Sequence, residues 1–576
     1  MDLSRFGLRL IAIGTVIAAT VVPLVVKIKS LELPLDYNVF HYGVSVLDGF
    51  SWYKGVLVAA CGAVTLLGLL LSRARVTRFD GACMALATLA IASALLSPFQ
   101  SLGFLGVPYI LEGLPTILAY LALAAGATRL SPAMTDRWLP IGIVSSVLVI
   151  AIFGLAEARG VHLINQPWLA KLLLETPDGW RSNYNGGFGA AAFPFGNPNY
   201  TGMYAALIWP FLLATACSRR TWMSGLLPAI GAGAACALLV ASGNRAGFIG
   251  AIIAVILSIL YLRGNMVPTP KLIFVLFFTH AVAYAVSSQT TNSINHRLAG
   301  INNESAETMF VPPPNATSPS ATNSTVISVE DGRLRADHAG ISLLVERQLR
   351  SVKFMDLNYR PLPVEFKGEQ IAILDDRFRA FRIKLHDVDP FYILSINDYE
   401  ISVTNRGFKI MRFGSFFSPV AAARFPLPLS DQAFSYRGYI WSRSLPLLAD
   451  GLFLGHGPGA FPFVFPNNDP AGIFGASQIV DKPHCFYISF AFAHGVTALL
   501  ILLTTGSTFF YKALHALLSC RDQDYCLRLL PYVAAGVGCA VAALATDSTI
   551  GVAAPWWVLF GCGVGILRQR PPRASC

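Results

Sequence analysis

Apolar stretches of membrane-spanning length recur along the chain near residues 6–26, 53–72, 80–97, 107–127, 138–157, 200–217, 224–242, 246–263, 270–287, 485–512, 527–545 and 552–567. A helix rising 1.5 Å per residue needs about twenty apolar residues to cross the hydrocarbon of a bilayer, so the pattern predicts twelve transmembrane helices. Basic residues occupy alternate gaps: Arg73, Arg75 and Arg78; Arg129 and Arg137; Arg219 and Arg220; Arg263 and Lys271; Arg521 and Arg528; Arg568, Arg570 and Arg573. With both termini cytoplasmic, all of these fall on one side, as the positive-inside rule requires. The first stretch, preceded by Arg5 and Arg9, has no small-x-small cleavage site and reads as a retained helix rather than a signal peptide.

The opposite side carries two long loops, about 158–199 and 288–484. The chain thus divides into a membrane domain over 1–287, a large extracytoplasmic loop over 288–484 and a second membrane domain over 485–576. The large loop opens on NNESAETMFVPPPNATSPSATNST, a composition that reads as a flexible linker. From about 326 to 413 the period changes. Ile371 and Ile373, then Phe381, Ile383 and Leu385, then Ile401 and Val403, then Phe408 and Ile410 alternate with polar residues between turn-forming DD, DVDP, ND and NRG segments. That alternation predicts strands, hence a β-rich extracytoplasmic insert. The segment 434–484 after it is rich in glycine, aromatic and basic residues.

Composition agrees with the pattern. Of 576 residues, 54% are hydrophobic and 13% charged, half the charge of a typical soluble domain, and the mean hydropathy is +0.56. The formal charge of +11 resides largely in the short basic loops, which argues against a nucleic-acid partner. Most of the ten cysteines, including Cys61, Cys83, Cys217, Cys236, Cys539 and Cys562, lie in apolar stretches, and none lies between Ser288 and Pro483, so no disulfide framework holds the large loop.

Four constellations on the outer side carry candidate chemistry. FGNPNY, from Phe195 to Tyr200, opens the sixth span, with Arg181 and a glycine-rich NGGFG before it. Asn197 and Asn199 flank its proline, and Asn199 fits a helix N-cap; a simple capped turn explains the motif equally. SGNRAG, from Ser242 to Gly247, joins the seventh and eighth spans. It puts Arg245 where positive-inside statistics disfavour arginine and at a helix N-terminus that favours anions. An arginine fork there suits a pyrophosphate; the alternative is a snorkelling surface arginine. Arg437, Trp441 and Arg443 precede GHGPGAFPF, whose glycines permit close backbone approach. Finally, Asp481-Lys482-Pro483-His484 opens the tenth span. Proline in a first helical turn and a helix N-terminus would keep His484 neutral, as a general base must be; the alternative is a histidine anchoring a helix at the interface. Neither a DxD pair near these motifs nor a His/Cys/Asp set of zinc spacing is present, so the expected chemistry uses no metal and no cofactor.

FGNPNY, the SGNRAG hairpin, RGYIWSRSLPLL with GHGPGAFPFVFP, and DKPH together resemble the O-antigen ligase/polymerase superfamily of bacterial envelope glycosyltransferases, over roughly Gly103 to Leu567 but not the β-rich insert. The resemblance implies an all-α membrane bundle of the C-type glycosyltransferase kind. It implies transfer of a glycan from an undecaprenyl-diphosphate carrier to a glycan, lipid or protein acceptor hydroxyl, on the outer face of the bacterial cytoplasmic membrane. Arg245 and Arg437 would bind the lipid diphosphate and His484 would act on the acceptor. Arg181, Asn197, Asn199, Asp481 and Lys482 would support or position substrate. One position departs from the pattern: relatives often carry an arginine two residues before the Glu-Gly pair, and here Ile110 precedes Glu112-Gly113. Ligase and polymerase differ only in acceptor and both remain open. A lipid-linked-glycan transporter would place charges within the spans, where Glu112 and Asp547 are among few acids. A sensor built on the β-rich insert would leave Arg245 and His484 without a role.

Overall fold

The computed structural model describes residues 3–32, 45–107, 110–176, 179, 181–186, 189–265, 269–287, 422–467, 469 and 480–569 and, with short breaks, 326–417. The proline-, serine- and asparagine-rich tract and part of NGGFG lie outside the described residues. The chain is mostly helical, and among the described residues ten helices are long and apolar enough to cross a membrane: Leu3–Leu24, Trp52–Ser72, Arg78–Leu96, Met134–Ala158, Pro198–Ser218, Trp222–Ser242, Arg245–Arg263, Val496–Ser519, Gln523–Ala542 and Ile550–Arg568. A helix at Thr269–Ser287 occupies the ninth expected span.

Two of the twelve expected spans come out differently. The fourth is helical only over Leu114–Ala127. Of its first part, residues 107 and 110–113 are non-helical and Leu111 takes φ +51, because Gly113 and Pro115 start the helix late and Pro115 fits the first turn. The tenth is broken. Phe486–His494 is a short helix that ends at Gly495, whose φ of +91 re-aims the chain into Val496–Ser519. A Cβ on Gly495 would stand 2.3 Å from the Phe453 carbonyl oxygen, so only glycine fits the break.

In a bilayer the helices gain nothing by hiding apolar surface from lipid, so close van der Waals packing through small residues holds such bundles together. Gly538 shows how close: a Cβ there would lie 2.2 Å from the Ala206 carbonyl oxygen, and one on Gly250 would lie 2.4 Å from that of Gly538. The Pro198–Ser218 helix is enclosed in this way, with every residue but Asn199 and Ser218 buried.

Side-chain contacts sort the loops into two ends. At one, Arg129 pairs with Asp80 at 2.7 Å and Arg528 with Asp136 at 2.8 Å. Arg219 donates to the Asp136 carbonyl, and the Tyr532 hydroxyl to that of Thr135. These are the basic loops. At the other end gather 110–113, 197–200, 243–245, 480–485 and 543–549, joined by contacts described below.

Outside the helices, β1 (Lys29–Glu32) pairs antiparallel with β2 (Ser45–Asp48). The insert expected over 326–413 consists of two antiparallel sheets. Four strands run in chain order: β3 (Val326–Glu330), β4 (Arg333–His338), β5 (Ile341–Arg347) and β6 (Val352–Met355). Seven more form a meander: β7 (Val364–Lys367), β8 (Gln370–Ile373), β9 (Ile383–Val388), β10 (Phe391–Ile396), β11 (Tyr399–Thr404), β12 (Gly407–Arg412) and β13 (Ser415–Phe417). Alternating residues of both sheets, among them Leu334, Val345, Phe354, Ile383, Leu394, Ile401 and Phe408, share one apolar core, which gives the insert a hydrophobic centre separate from that of the helices.

Candidate functional site

The segment leading into the site is fixed by two buried charges. Glu157 Oε2 accepts from the backbone N–H groups of Ala192 and Phe193 at 2.9 and 2.7 Å, and Oε1 accepts from the Tyr184 hydroxyl at 2.8 Å. Lys54, 1% exposed, donates to the Pro194 carbonyl at 2.6 Å between the Phe50 and Phe195 rings. These contacts deliver the chain to Asn197. That residue, not Asn199, caps the Pro198–Ser218 helix: its backbone is extended and its Oδ1 accepts from Asn199 N–H at 2.8 Å. The expectation for Asn199 is corrected for a simple reason, since Pro198 takes the first helical position and the cap must precede it. The Asn199 carbonyl instead accepts from Asn244 Nδ2 at 2.6 Å, and Asn244 Oδ1 takes the Gly247 N–H at 2.9 Å. FGNPNY and the SGNRAG hairpin are therefore locked together, with Arg245 exposed at the start of its helix.

Tyr200, one residue on, accepts a short hydrogen bond from Lys482 Nζ. Lys482 is 3.9 Å from Asp481. Burial lowers its pKa, but Tyr200, Asp481 and Asp547 outweigh that and hold the ammonium above the ordinary lysine value. Pro483 and His484 lie outside the helix, which begins at Phe486 with Cys485 as its cap. This overturns the expectation that Pro483 sits in a first turn and that a helix N-terminus keeps His484 neutral. Instead His484 takes φ +54, a conformation that costs a non-glycine residue of order 1–3 kcal/mol, and its Nδ1 lies 3.1 Å from Asp547 Oδ2. Asp547 is 5% exposed, and among the described residues its Oδ2 takes no other hydrogen bond. Its Oδ1 accepts from Cys485 N–H at 3.1 Å and Ser489 Oγ at 2.7 Å. Burial raises this carboxyl, but the bond to His484 and the charges of His484 and Lys482, with Ser489, outweigh it and hold it below the usual carboxylate value. A carboxylate so placed favours the imidazole tautomer with its proton on Nδ1, leaving Nε2 to accept one.

Arg437 comes in from the Ala433–Asp450 helix. The three residues before it, Phe434, Ser435 and Tyr436, all adopt left-handed φ values of 53–65°, and Arg437 Nη1 donates to the Phe434 carbonyl at 2.8 Å. Its Nε is buried without a partner among the described residues. Burial lowers its pKa, opposed by the charge of Asp547 nearby. Trp441, one turn along the same face, donates from Nε1 to the Pro483 carbonyl at 2.9 Å, tying the helix to the histidine segment. Arg443 has a different task. It is 5% exposed, pairs with Asp431 at 2.9 Å and Asp469 at 3.3 Å, and lies over the Tyr439 ring. Removing one partner of such a buried pair costs about 3–5 kcal/mol, so Arg443 holds the helix in place.

The glycines of GHGPG approach protein backbone. His456 N–H and Gly457 N–H donate to the carbonyls of Phe492 and Ala493 at 2.8 and 3.1 Å, and the Ser97 hydroxyl donates to the His456 carbonyl at 2.7 Å. Arg181 also stands apart from the cluster: it is exposed and pairs by backbone with Glu175.

Beneath these motifs lies an amphipathic cavity. Glu112, Asp481, Lys482, Asp547 and Ser548 line its polar part, and its walls include Leu86, Ile117, Phe486, Phe490 and Trp557. His484, Arg437 and Arg245 are outside this lining, with His484 meeting Asp547 at its edge. Asp547 and Glu112 are the acids that no motif marked as site residues. Among the described residues, no group of three or more His, Cys, Asp or Glu side chains is arranged to hold a metal ion. The chain matches no family model, no curated protein and no solved structure.

Proposed function

We propose that this chain is an integral-membrane glycosyltransferase that moves a glycan from an undecaprenyl-diphosphate carrier to an acceptor hydroxyl on the outer face of the bacterial cytoplasmic membrane. The observation that carries the reading is the meeting of His484 and Asp547 beside Arg437, at the edge of a cavity with a charged head and apolar walls. In the proposed reaction His484 Nε2 removes the acceptor proton as the hydroxyl oxygen bonds to the sugar carbon. The sugar–phosphate bond breaks with its electron pair passing to the departing diphosphate. Arg437 and Arg245 supply preorganised positive charge to that leaving group, and Lys482 positions it. The ten apolar helices support a polytopic membrane setting, and the gathering of the Arg129, Arg219 and Arg528 loops at the end opposite His484 supports an extracytoplasmic site. Whether the acceptor is a second glycan repeat, which would make the protein a polymerase, or a lipid or protein, which would make it a ligase, is decided by assaying each acceptor with the same donor.

Two experiments bear on this reading. Arg245→Ala is expected to lower transfer roughly tenfold to a hundredfold, since a charge-assisted hydrogen bond contributes about 1.5–3 kcal/mol, and to leave lipid-linked donor accumulated in cells. Arg245→Lys restores charge without the fork and should recover only part of the loss; wild-type transfer by the alanine variant removes Arg245 from the site. For topology, a cysteine placed at the exposed Ala380 of the insert is expected to react with a membrane-impermeant thiol reagent in intact cells. Protection of that cysteine, where a known external cysteine is labelled, would put the insert and the site on the cytoplasmic side.

A further inference from the structure

The polar part of the cavity holds more acid than an anionic ligand should tolerate. Glu112, Asp481 and Asp547 face it with Lys482 as the one lysine or arginine among the described lining residues. Asp547 is committed to His484, Cys485 and Ser489, and Asp481 stands beside Lys482. Glu112 differs from both. It comes from the loop ahead of the Leu114–Ala127 helix, and its Oε1 accepts from the Tyr120 hydroxyl at 2.9 Å and Ser548 Oγ at 2.8 Å. Its Oε2 takes no hydrogen bond from any described residue while the side chain lines the cavity. An ionised Glu112 would put an uncompensated carboxylate where a diphosphate must approach. A protonated one would present an O–H donor there instead.

We propose that Glu112 is protonated in the substrate complex and donates its carboxyl proton as a hydrogen bond to a phosphate oxygen of the lipid-linked diphosphate, so that donor binding is coupled to one proton on the protein. The inference rests on the reading of the site given above and adds a binding residue to it. The charged and titratable groups around Glu112 are Tyr120 on its own segment, Lys482 and Asp481 from the DKPH segment, Asp547 with Ser548 from the loop before the last helix, and His494 further along the cavity wall. Burial, opposed by the bonds from Ser548 and Tyr120 and reinforced by the charge of Asp547, pushes the Glu112 carboxyl up to about 7. Asp547 is held low and Lys482 high, so neither changes charge near neutrality. The sign follows. Below pH 7 Glu112 carries the proton and the anion binds; above it, binding must supply the proton, and affinity falls toward the limit of about tenfold per pH unit for one linked proton.

The test measures binding of a farnesyl-diphospho-sugar to the detergent-solubilised full chain between pH 6 and 9. Both phosphates of that ligand are esterified and stay fully ionised throughout, so a change in Kd reports the protein. The wild-type Kd should rise by about tenfold or more between pH 7 and 8.5. Glu112→Gln keeps a donor and an acceptor without a titrating proton and should bind at high pH as wild type does at low pH, with no slope. Wild-type affinity that ignores pH, or a slope that survives in Glu112→Gln and so belongs to a histidine, overturns the inference while leaving the glycosyltransferase reading intact. No binding of the diphospho-sugar at any pH by folded wild type removes both. Competition by inorganic pyrophosphate at pH 7 as strong as that by the lipid-linked ligand would reassign the site to a free phosphate.

Discussion

With donor saturating, His484→Ala should lower turnover by about a hundredfold to ten-thousandfold, the range for losing a general base, while the donor binds about as tightly as before. The reason is local. Nδ1 is occupied by Asp547 at 3.1 Å, so Nε2 is the nitrogen left for an acceptor proton, and in the proposed reaction other side chains hold the diphosphate. His484→Gln separates proton transfer from mere hydrogen bonding, because an amide mimics one ring nitrogen's hydrogen bond but accepts no proton at neutral pH. Turnover near wild type in the glutamine variant would end the general-base assignment and keep the location. Turnover near wild type in the alanine variant too would reduce His484 to an anchor of the segment before Phe486.

Asp547→Asn is the second large effect, and it is expected to cost up to about ten-thousandfold in turnover with the fold preserved. Asparagine retains an oxygen for the Cys485 and Ser489 donors, so the loop before the last helix keeps its anchorage. The change falls on the side facing His484. There an amide N–H₂ replaces an acceptor and favours the tautomer whose free lone pair lies on Nδ1, turning the proton of Nε2 toward the acceptor. An acidic partner that orients a catalytic imidazole loses its value in the same way when neutralised in serine proteases. Thermal stability close to wild type together with collapsed turnover is the expected pair of results. Turnover within a few-fold of wild type would show that Asp547 serves only to hold the helix beginning at Phe486.

Much of this arrangement was legible along the chain because the membrane imposes strong, local rules. Apolar length marked most of the helices, arginine placement marked the two ends, and a period of two marked the strands of the insert. What escaped depended on contacts between distant segments or on single backbone angles. Asp547 and Glu112 looked like stray acids in apolar sequence, since the contacts that tie them to the other motifs, with Cys485 and with Ser548, lie 62 and 436 residues away. The break at Gly495 looked like one small residue in a continuous apolar run, because nothing local reveals that the Phe453 carbonyl fills the space of its Cβ. The same limit explains the misplaced cap at Asn199 and the supposed helical turn at Pro483: proline and asparagine announce a helix start but leave its position uncertain by a residue or two. Arg443 and Arg437 show it for charge. They lie on one helix, six residues apart, and only their surroundings assign one to the scaffold and the other to the candidate site.

The bond between Glu112 and Ser548 spans 436 residues of chain, and this sets a timetable for biogenesis. At about 5–20 residues per second, the ribosome needs roughly 20 to 90 s after making Glu112 before it can add Ser548. Throughout that interval Glu112 has Tyr120 beside it, while Ser548 and the carboxylate for His484 have yet to be synthesised. On the proposed reading, a nascent chain has no working site until the hairpin of Gln523–Ala542 and Ile550–Arg568 has carried Asp547 and Ser548 into place.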